Sequence, residues 1–114
     1  MTAITDAMEA VAAKIRGAGV DATTDPRSAV PPCVLVEIPN LRFDVGCGAT
    51  GEWSVVALAG GAANLDSARE LTELAAACAG VLPLERGDRV QYQLSPNNPP
   101  LYGFRMIFTQ GVDL

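Results

Sequence analysis

Two stretches of the chain repeat apolar residues at the spacing of an amphipathic helix. In residues 3–18 the apolar positions are Ile4, Met8, Val11 and Ile15, at steps of four and three. Residues 65–78 keep the same period through leucines, alanines and Cys78. Glycines follow both stretches, and glycine commonly ends a helix. The pattern therefore predicts two helices, the second with Asn64 as its N-cap.

A segment punctuated by prolines, residues 22–38, leads from the first helix into the first strand and includes that strand. It contains Asp25-Pro26-Arg27 and Pro31-Pro32 and runs into the apolar strand at residues 33–38. Proline fixes its own φ, lacks a backbone N–H donor and forces the residue before it into an extended backbone conformation. We expect a stiff strap, neither helix nor interior strand, that fixes the first helix against the sheet.

The Pro39-Asn40 pair predicts a tight turn into a second strand, residues 41–45. There Leu41, Phe43 and Val45 alternate with Arg42 and Asp44, the period of two expected of a strand. Pro-Asn favours turn types that twist two-residue hairpins the wrong way. A kink or bulge within one long strand is therefore the alternative.

The remaining strands follow from apolar runs and from turn residues. Residues 52–59 are apolar on both faces, which predicts a central strand. Residues 90–94 and 102–109 predict a closing hairpin around a connector at residues 95–100. In its second strand one face is expected to hold Tyr102, Phe104, Met106 and Phe108.

The predicted order is helix, three strands, helix, two strands. It indicates a single α+β domain over residues 1–114, with a mainly antiparallel sheet of about five strands packed with two helices. The hydrophobic fraction of 49% suits a globular protein. Alanine and valine supply much of it, which predicts a core of small side chains.

Charge and composition exclude several classes of function. A net charge of −5 with Lys14 as the single lysine argues against a grip on nucleic-acid phosphates. The chain has no histidine, so Ser-His-Asp and Cys-His catalysis are impossible and zinc would have only dispersed cysteines and carboxylates. We expect no enzyme activity, no catalytic residue, no metal and no cofactor.

Neither a membrane span nor a signal peptide is expected. No apolar run approaches the roughly 20 residues of a spanning helix, and the first ten residues lack a basic lead. The three cysteines are an odd number at wide spacings, which predicts reduced thiols, with Cys33 and Cys78 in the core and Cys47 as the one exposed thiol.

The glycine-rich segment from Gly46 to Gly51 matches G-x-G-x-x-G. A dinucleotide-binding motif of this form must open a helix, whereas the residues that follow here are typical of a strand. A mobile hairpin loop is the favoured interpretation, and a cytoplasmic small-molecule-binding domain that uses the loop is the alternative.

The acidic residues Asp66, Glu70 and Glu73 fall on one face of the second predicted helix. A solvated helix face is the expected reading of such a row. Arg69 and Glu73, four residues apart, are expected to be able to pair.

Aromatic and polar residues near the loops are candidates for protein contact. Trp53 follows the glycine segment and Tyr102 follows the proline-rich connector, and large aromatics near loops are enriched in interfaces. The full set of candidate contact residues is Arg27, Cys47, Gly48, Trp53, Asn97, Asn98 and Tyr102.

The order of these elements resembles the tail terminator proteins of long-tailed bacteriophages, particularly those infecting actinobacteria. The resemblance rests on the first helix ending near Gly17, the strap from Ala22 to Pro39, and the strand and glycine segment from Leu41 to Trp53. An alanine-rich helix at residues 65–80 and the C-terminal hairpin complete it. It spans nearly the whole chain as a pattern of elements, without a catalytic signature.

The resemblance implies a structural virion protein at the tail–neck junction, assembled in the host cytoplasm. Such subunits form a ring, expected to be a homo-hexamer, that caps the tail tube protein, ends tube polymerisation and docks the head-closure or neck proteins. Roughly −30 charges on a six-copy ring would let DNA pass without specific binding. A head-closure or adaptor neck protein is the nearest alternative.

Overall fold

The computed structural model describes residues 3–43, 48–60, 65–97 and 99–112. The elements follow one another as α1 (Ala3–Gly17), β1 (Ala22–Thr23), a 3₁₀ turn (Pro26–Ser28), β2 (Cys33–Val36), β3 (Asn40–Phe43), β4 (Ala49–Leu58), α2 (Leu65–Ala79), β5 (Arg86–Tyr92) and β6 (Leu101–Val112). The strand pairs are antiparallel except β1 with β2, which are parallel. The predicted α+β class with a mainly antiparallel sheet is confirmed. The predicted N-cap, Asn64, lies outside the described residues.

The sheet is built around β4. Its strand order is β1-β2-β4-β6-β5, and β3 also pairs with β4. β6 borders β4 along its whole length, whereas the other side of β4 is shared, with β3 beside its first half and β2 beside its second. The central strand predicted at residues 52–59 is confirmed, and it begins earlier, at Ala49.

A bulge, not a hairpin, joins β2 to β3. Val36 pairs with Val55 and Asn40 pairs with Glu52, so residues 37–39 stand opposite residues 53–54. One extra residue on one strand defines a β-bulge. Buried Pro39 lies in it, where no backbone N–H is required of the residue. The predicted tight turn is therefore wrong, and the alternative of one long, bulged strand is confirmed.

Both helices pack on the same face of the sheet, which we call the helix face. Its core consists mainly of small aliphatic side chains from both helices and from alternate positions of β2, β4 and β6. The largest members are Trp53 and Phe108, stacked with ring centroids 6.0 Å apart. Burial of each such side chain contributes about 1.5–3 kcal/mol, so this layer dominates the stability of the fold.

On the opposite face of the sheet the described residues place no α-helix, and this face holds a smaller cluster. Cys33, Val56 and Leu58 form its buried centre. Residues from the strap and the closing hairpin cover them, namely Ala29, Val90, Tyr92, Leu94 and Leu101. We call this the strap face.

The strap contains two short pieces of regular structure. Ala22 and Thr23 pair with Val34 and Leu35 as a short edge strand, and Pro26–Ser28 form one 3₁₀ turn. The turn is possible because Pro26 occupies a first-turn position, where its missing N–H is not needed, and Asp25 caps the turn by accepting from the Arg27 N–H at 3.0 Å. The short edge strand agrees with the expectation that the strap is no interior strand, whereas the expectation of no helix is wrong at the 3₁₀ turn.

The expected link between strap and first helix is observed. Arg16 near the end of α1 donates from Nε to the Ala22 carbonyl at 3.0 Å. The peptide bond between Pro31 and Pro32 is cis. Pro32 lies against Gly60, where an added Cβ would come within 3.2 Å of the proline ring. The strap is thus attached at both ends.

The C-terminal hairpin is longer than predicted. β5 begins at Arg86 and β6 continues to Val112. Three of the four aromatic or methionine residues expected on one face of β6 pack against the helix-face core, namely Phe104, Met106 and Phe108. Tyr102 on the same face is 41% exposed, because it lies beyond the cover of α2.

Candidate subunit-contact surfaces

The structure separates the seven predicted contact residues. Cys47 and Asn98 lie outside the described residues. Trp53 is fully buried and stacked on Phe108, so its prediction as a surface contact is wrong. The cause is the early start of β4, which places Trp53 inside a central strand and not at a loop end.

Three of the other predicted residues, Arg27, Asn97 and Tyr102, are exposed. The Arg27 side chain is 91% exposed and pairs with Asp25 at 3.2 Å within the 3₁₀ turn. This pairing raises the pKa of Arg27 and lowers the pKa of Asp25. Asn97 is exposed in the connector, whereas Gly48 is half-buried with a positive φ of 83°. Tyr102 alone borders a concave surface.

That surface is an open groove between α2 and β5 on the helix face. Its larger part has a volume of about 660 Å³. One wall is α2 through Ala68, Leu71 and Thr72, and the other is β5 through Arg89 and Gln91. The lining is predominantly apolar, as expected of a surface that receives another molecule.

A second cavity, of about 340 Å³, extends the groove toward the end of α2. Ala75 and Ala79 of α2 line it, together with Gly87 of β5 and Met106 of β6. Phe104 borders both cavities, so they are adjacent, and we call the two together the α2–β5 groove. Glycine and alanine at these positions leave the space that larger side chains would fill.

The strands β3 and β5 are edges on opposite sides of the sheet. Among the described residues, β3 pairs only with β4 and β5 pairs only with β6. Five of the seven β5 residues are exposed, and three of the four β3 residues. Unpaired edge strands of this kind are templates for pairing with another chain. The sequence predicted the strands but not which of them would be edges, because that depends on long-range pairing.

Exposed apolar side chains are another feature of the β3 side. Ile38 in the bulge is 74% exposed and Phe43 at the end of β3 is 70% exposed. Leu41, two residues before Phe43, packs against the helix-face core. By the alternation of a strand, Phe43 points to the same face as Leu41.

A polar cluster crosses the strap face of the sheet. Arg105 of β6 holds Glu37 with two hydrogen bonds, of 2.8 and 3.1 Å, and Ser54 donates to the same carboxylate at 2.9 Å. The hydrogen bond to Glu37 raises the pKa of Arg105. The Arg105 guanidinium and the Ser54 hydroxyl both donate to this carboxylate, so the cluster is a cross-strand tie that fixes the end of β2 relative to β6.

Both described cysteines are buried, as predicted. Burial raises the pKa of the Cys78 thiol to about 11 and also raises the pKa of Cys33. A thiol is reactive only as the thiolate, so neither side chain is an activated nucleophile at neutral pH.

The glycine segment is shorter than its motif suggested. Ala49, Thr50 and Gly51 lie in β4 and pair with β3 on one side and β6 on the other. Gly51 has a steric reason to be glycine, because an added Cβ would lie 2.7 Å from the indole nitrogen of Trp53. The first two residues of the glycine-rich segment, 46 and 47, lie outside the described part of the chain.

The acidic row on α2 remains an exposed helix face. A guanidinium nitrogen of Arg69 lies 3.9 Å from Oδ1 of Asp66, three residues earlier. The ion pair observed for Arg69 is therefore with Asp66 and not with Glu73, the partner that the sequence suggested. The side chain of Glu70 accepts from the Gly60 N–H at 3.3 Å. Within the described ranges, no group of three or more acidic or cysteine side chains is placed to hold a metal ion.

No family model, no curated protein and no solved structure matches the chain. Neither helix of the described residues has the length and apolarity that a membrane crossing would require.

Proposed function

We propose that this chain is a ring-forming structural subunit that caps a bacteriophage tail tube. In this role a closed ring, hexameric in the tail terminators that the chain resembles, ends polymerisation of the tail tube protein at the tail–neck junction of the virion. The ring then offers its other side to the head-closure or neck proteins, and DNA passes through its channel.

The arrangement of the sheet edges is the observation that supports this proposal most. A closed ring of more than two copies needs two different, mutually complementary surfaces on each subunit. Strands β3 and β5 supply two different edges on opposite sides of one sheet. An apolar groove accompanies the β5 edge, and an exposed phenylalanine accompanies the β3 edge.

The order of elements supports the same role. The first helix, the strap, the strand that begins near Leu41, the alanine-rich helix and the closing hairpin belong to the pattern on which the resemblance to tail terminators rests. Each is an element of the described fold, and the glycine segment of that pattern is described from Gly48 onward. The net charge of −5 per copy suits a channel that DNA must traverse, because like charges repel the phosphates.

Capping of growing tubes tests the proposal. Purified protein is added to polymerising tail-tube protein of an actinobacteriophage, and tube lengths are measured by negative-stain electron microscopy. We expect elongation to stop at one end, where a ring becomes visible, while an unrelated acidic protein of similar size leaves the lengths unchanged.

Two results would decide against this role. Tubes that grow unchanged in an excess of the protein would contradict tube capping. Rings that bind purified heads or portal complexes but not tubes would instead support the head-closure or adaptor function.

A further inference from the structure

The edge strands β3 and β5 run in directions that suit direct pairing between copies. β3 is antiparallel to β4, β4 to β6, and β6 to β5, so β3 runs antiparallel to β5 within one subunit. Rotation about a ring axis to which the strands are inclined by well under 90° preserves this relation between neighbouring copies. If the two edges meet in such a ring, β3 of one copy and β5 of the next form an antiparallel pair, the geometry of strand addition at a sheet edge.

The side chains of the two edges restrict the register. Leu41 and Phe43 point to the helix face, and on β5 the helix-face positions are Gly87, Arg89 and Gln91, which pair with the helix-face side of β6. A continuous sheet must match these faces, because a slip of one residue would turn every side chain of β3 to the wrong side.

We propose that β3 of one copy pairs with β5 of a second copy of this chain, with Phe43 opposite Gly87 and Arg42 opposite Asp88. This rests on the proposed ring function and names its subunit contact. Phe43 then covers the part of the α2–β5 groove lined by Ala75, Ala79 and Met106.

Steric fit favours this register over its neighbours. Gly87 has no side chain, so an aromatic ring from the facing strand lies over its backbone and fills the cavity of about 340 Å³ behind it. Aromatic residues are known to cover glycines of a facing strand in this way. Moving β3 by two residues places Phe43 opposite Arg89 or beyond the start of β5 at Arg86.

Charge favours the same register. Arg42 makes no ion pair among the residues that the structure describes, and it points to the strap face by alternation with Leu41. Asp88 also lies on the strap face and is 55% exposed, with Arg86 as its intrachain partner at 3.2 Å. The proposed register places opposite charges face to face, whereas a shift by two residues places Arg42 opposite Arg86 or Val90.

The positions of the edges also determine the tilt of the strands in the ring. β3 lies beside the first half of β4, and the central part of β5 lies at the level of its second half. In the proposed register Phe43 lies level with Ala49 of β4, and Gly87 lies level with Val55. This offset of about six residues along the strands corresponds to roughly 20 Å, and the four strands β3, β4, β6 and β5 span roughly 19 Å across the sheet. Strands inclined at about 45° to the ring axis close this offset, at the upper end of the range of about 35–45° in β-barrels.

Cysteine pairs test the register directly. The double variant Phe43→Cys, Gly87→Cys is made together with Cys47→Ser. The native thiols that remain are then Cys33 and Cys78, and both are buried. A cysteine at position 87 is tolerated, since its Cβ would meet only Met106, at 3.6 Å. Directly opposite residues have Cβ atoms about 4.5–5.5 Å apart, which is near disulfide range.

We expect oxidation of these rings on tail tubes to give a ladder of covalent oligomers in denaturing gels without reductant. The matched control is Ile38→Cys with Gly87→Cys, which uses an equally exposed residue outside the proposed contact and should give no ladder. Arg42→Asp and Asp88→Arg should each reduce the fraction of protein in rings about tenfold, and their combination should restore it.

The outcomes separate this contact from the ring function itself. Rings that cap tubes without a 43–87 ladder, and without rescue by the charge exchange, would overturn the contact and leave the function standing. If the unmodified protein forms no ring on tubes, the proposed function fails and the contact fails with it.

Discussion

The two helices lie on the same face of the sheet, but only α1 closes the surface beneath it. α1 buries four residues, Met8, Val11, Ala12 and Ile15, of which the last three are at most 1% exposed. α2 also buries four residues, Ser67, Leu71, Leu74 and Cys78, but it borders the open groove through Ser67, Ala68, Leu71 and Thr72. The helix layer is therefore closed over α1 and open beside β5, at the edge where the proposed subunit contact lies.

The largest expected difference between the helices comes from removing an apolar side chain. Ile15→Ala leaves a cavity in a fully buried site and should lower the free energy of unfolding by about 2–5 kcal/mol. The matched change in α2, Leu65→Ala, removes a side chain that is 67% exposed and should cost less than about 0.5 kcal/mol. Urea unfolding measures both, and equal losses would show that α2 is covered as α1 is.

Adding volume tests the same contrast in the opposite direction. Ala12→Leu overpacks a site with no exposed surface and should destabilise the protein by about 1–3 kcal/mol. Ala68→Leu places the same side chain into the α2–β5 groove, where there is room, so the midpoint of urea unfolding should hardly move. If Ala68→Leu is as harmful as Ala12→Leu, the groove is not open in solution.

Alkaline pH should reveal that the far end of α2 is closed. Cys78 has a folded-state pKa of about 11, raised by burial from the ordinary value of 9.0. Stability is at its full value below pH 9 and falls as pH rises toward 11, because only the unfolded thiol ionises in that window. The loss from this group should be about 1 kcal/mol at pH 10.

The variant Cys78→Ala provides the comparison for this pH effect. Urea midpoints of both proteins are measured between pH 7 and 10, and the decline should be shallower in the variant. Identical slopes would mean that the thiol is hydrated under α2.

The smallest effect is expected at Arg27 on the strap. Its side chain is exposed and contacts only the neighbouring Asp25. Because the proposed subunit contact lies on β3 and β5, Arg27→Ala should leave ring formation and tube capping unchanged. A loss of capping in a protein that is still folded by circular dichroism would place a second contact on the strap.

The sequence predicted those parts of the fold in which local pattern and burial agree. The apolar stripe of α1 can be buried only by packing that side of the helix against a sheet. The run of β4, apolar on both faces, can be buried only at the centre of a sheet. Trp53 was misplaced because the preceding glycines imitate a loop, while Gly51 in fact makes room for its indole ring. The groove was not predictable, since it arises from the distance between α2 and an edge strand that is set by packing elsewhere.

The bulge between β2 and β3 also has a consequence for changes in chain length. Before the bulge, even-numbered Val36 faces the helices, and after it odd-numbered Leu41 does so. A deletion of one residue within 37–39 would remove this change of parity and turn Arg42 inward and Phe43 to the opposite face. Connectors usually tolerate such deletions. The bulge does not connect two elements but changes which residues of one long strand face the helices, so relatives of this chain should keep its length.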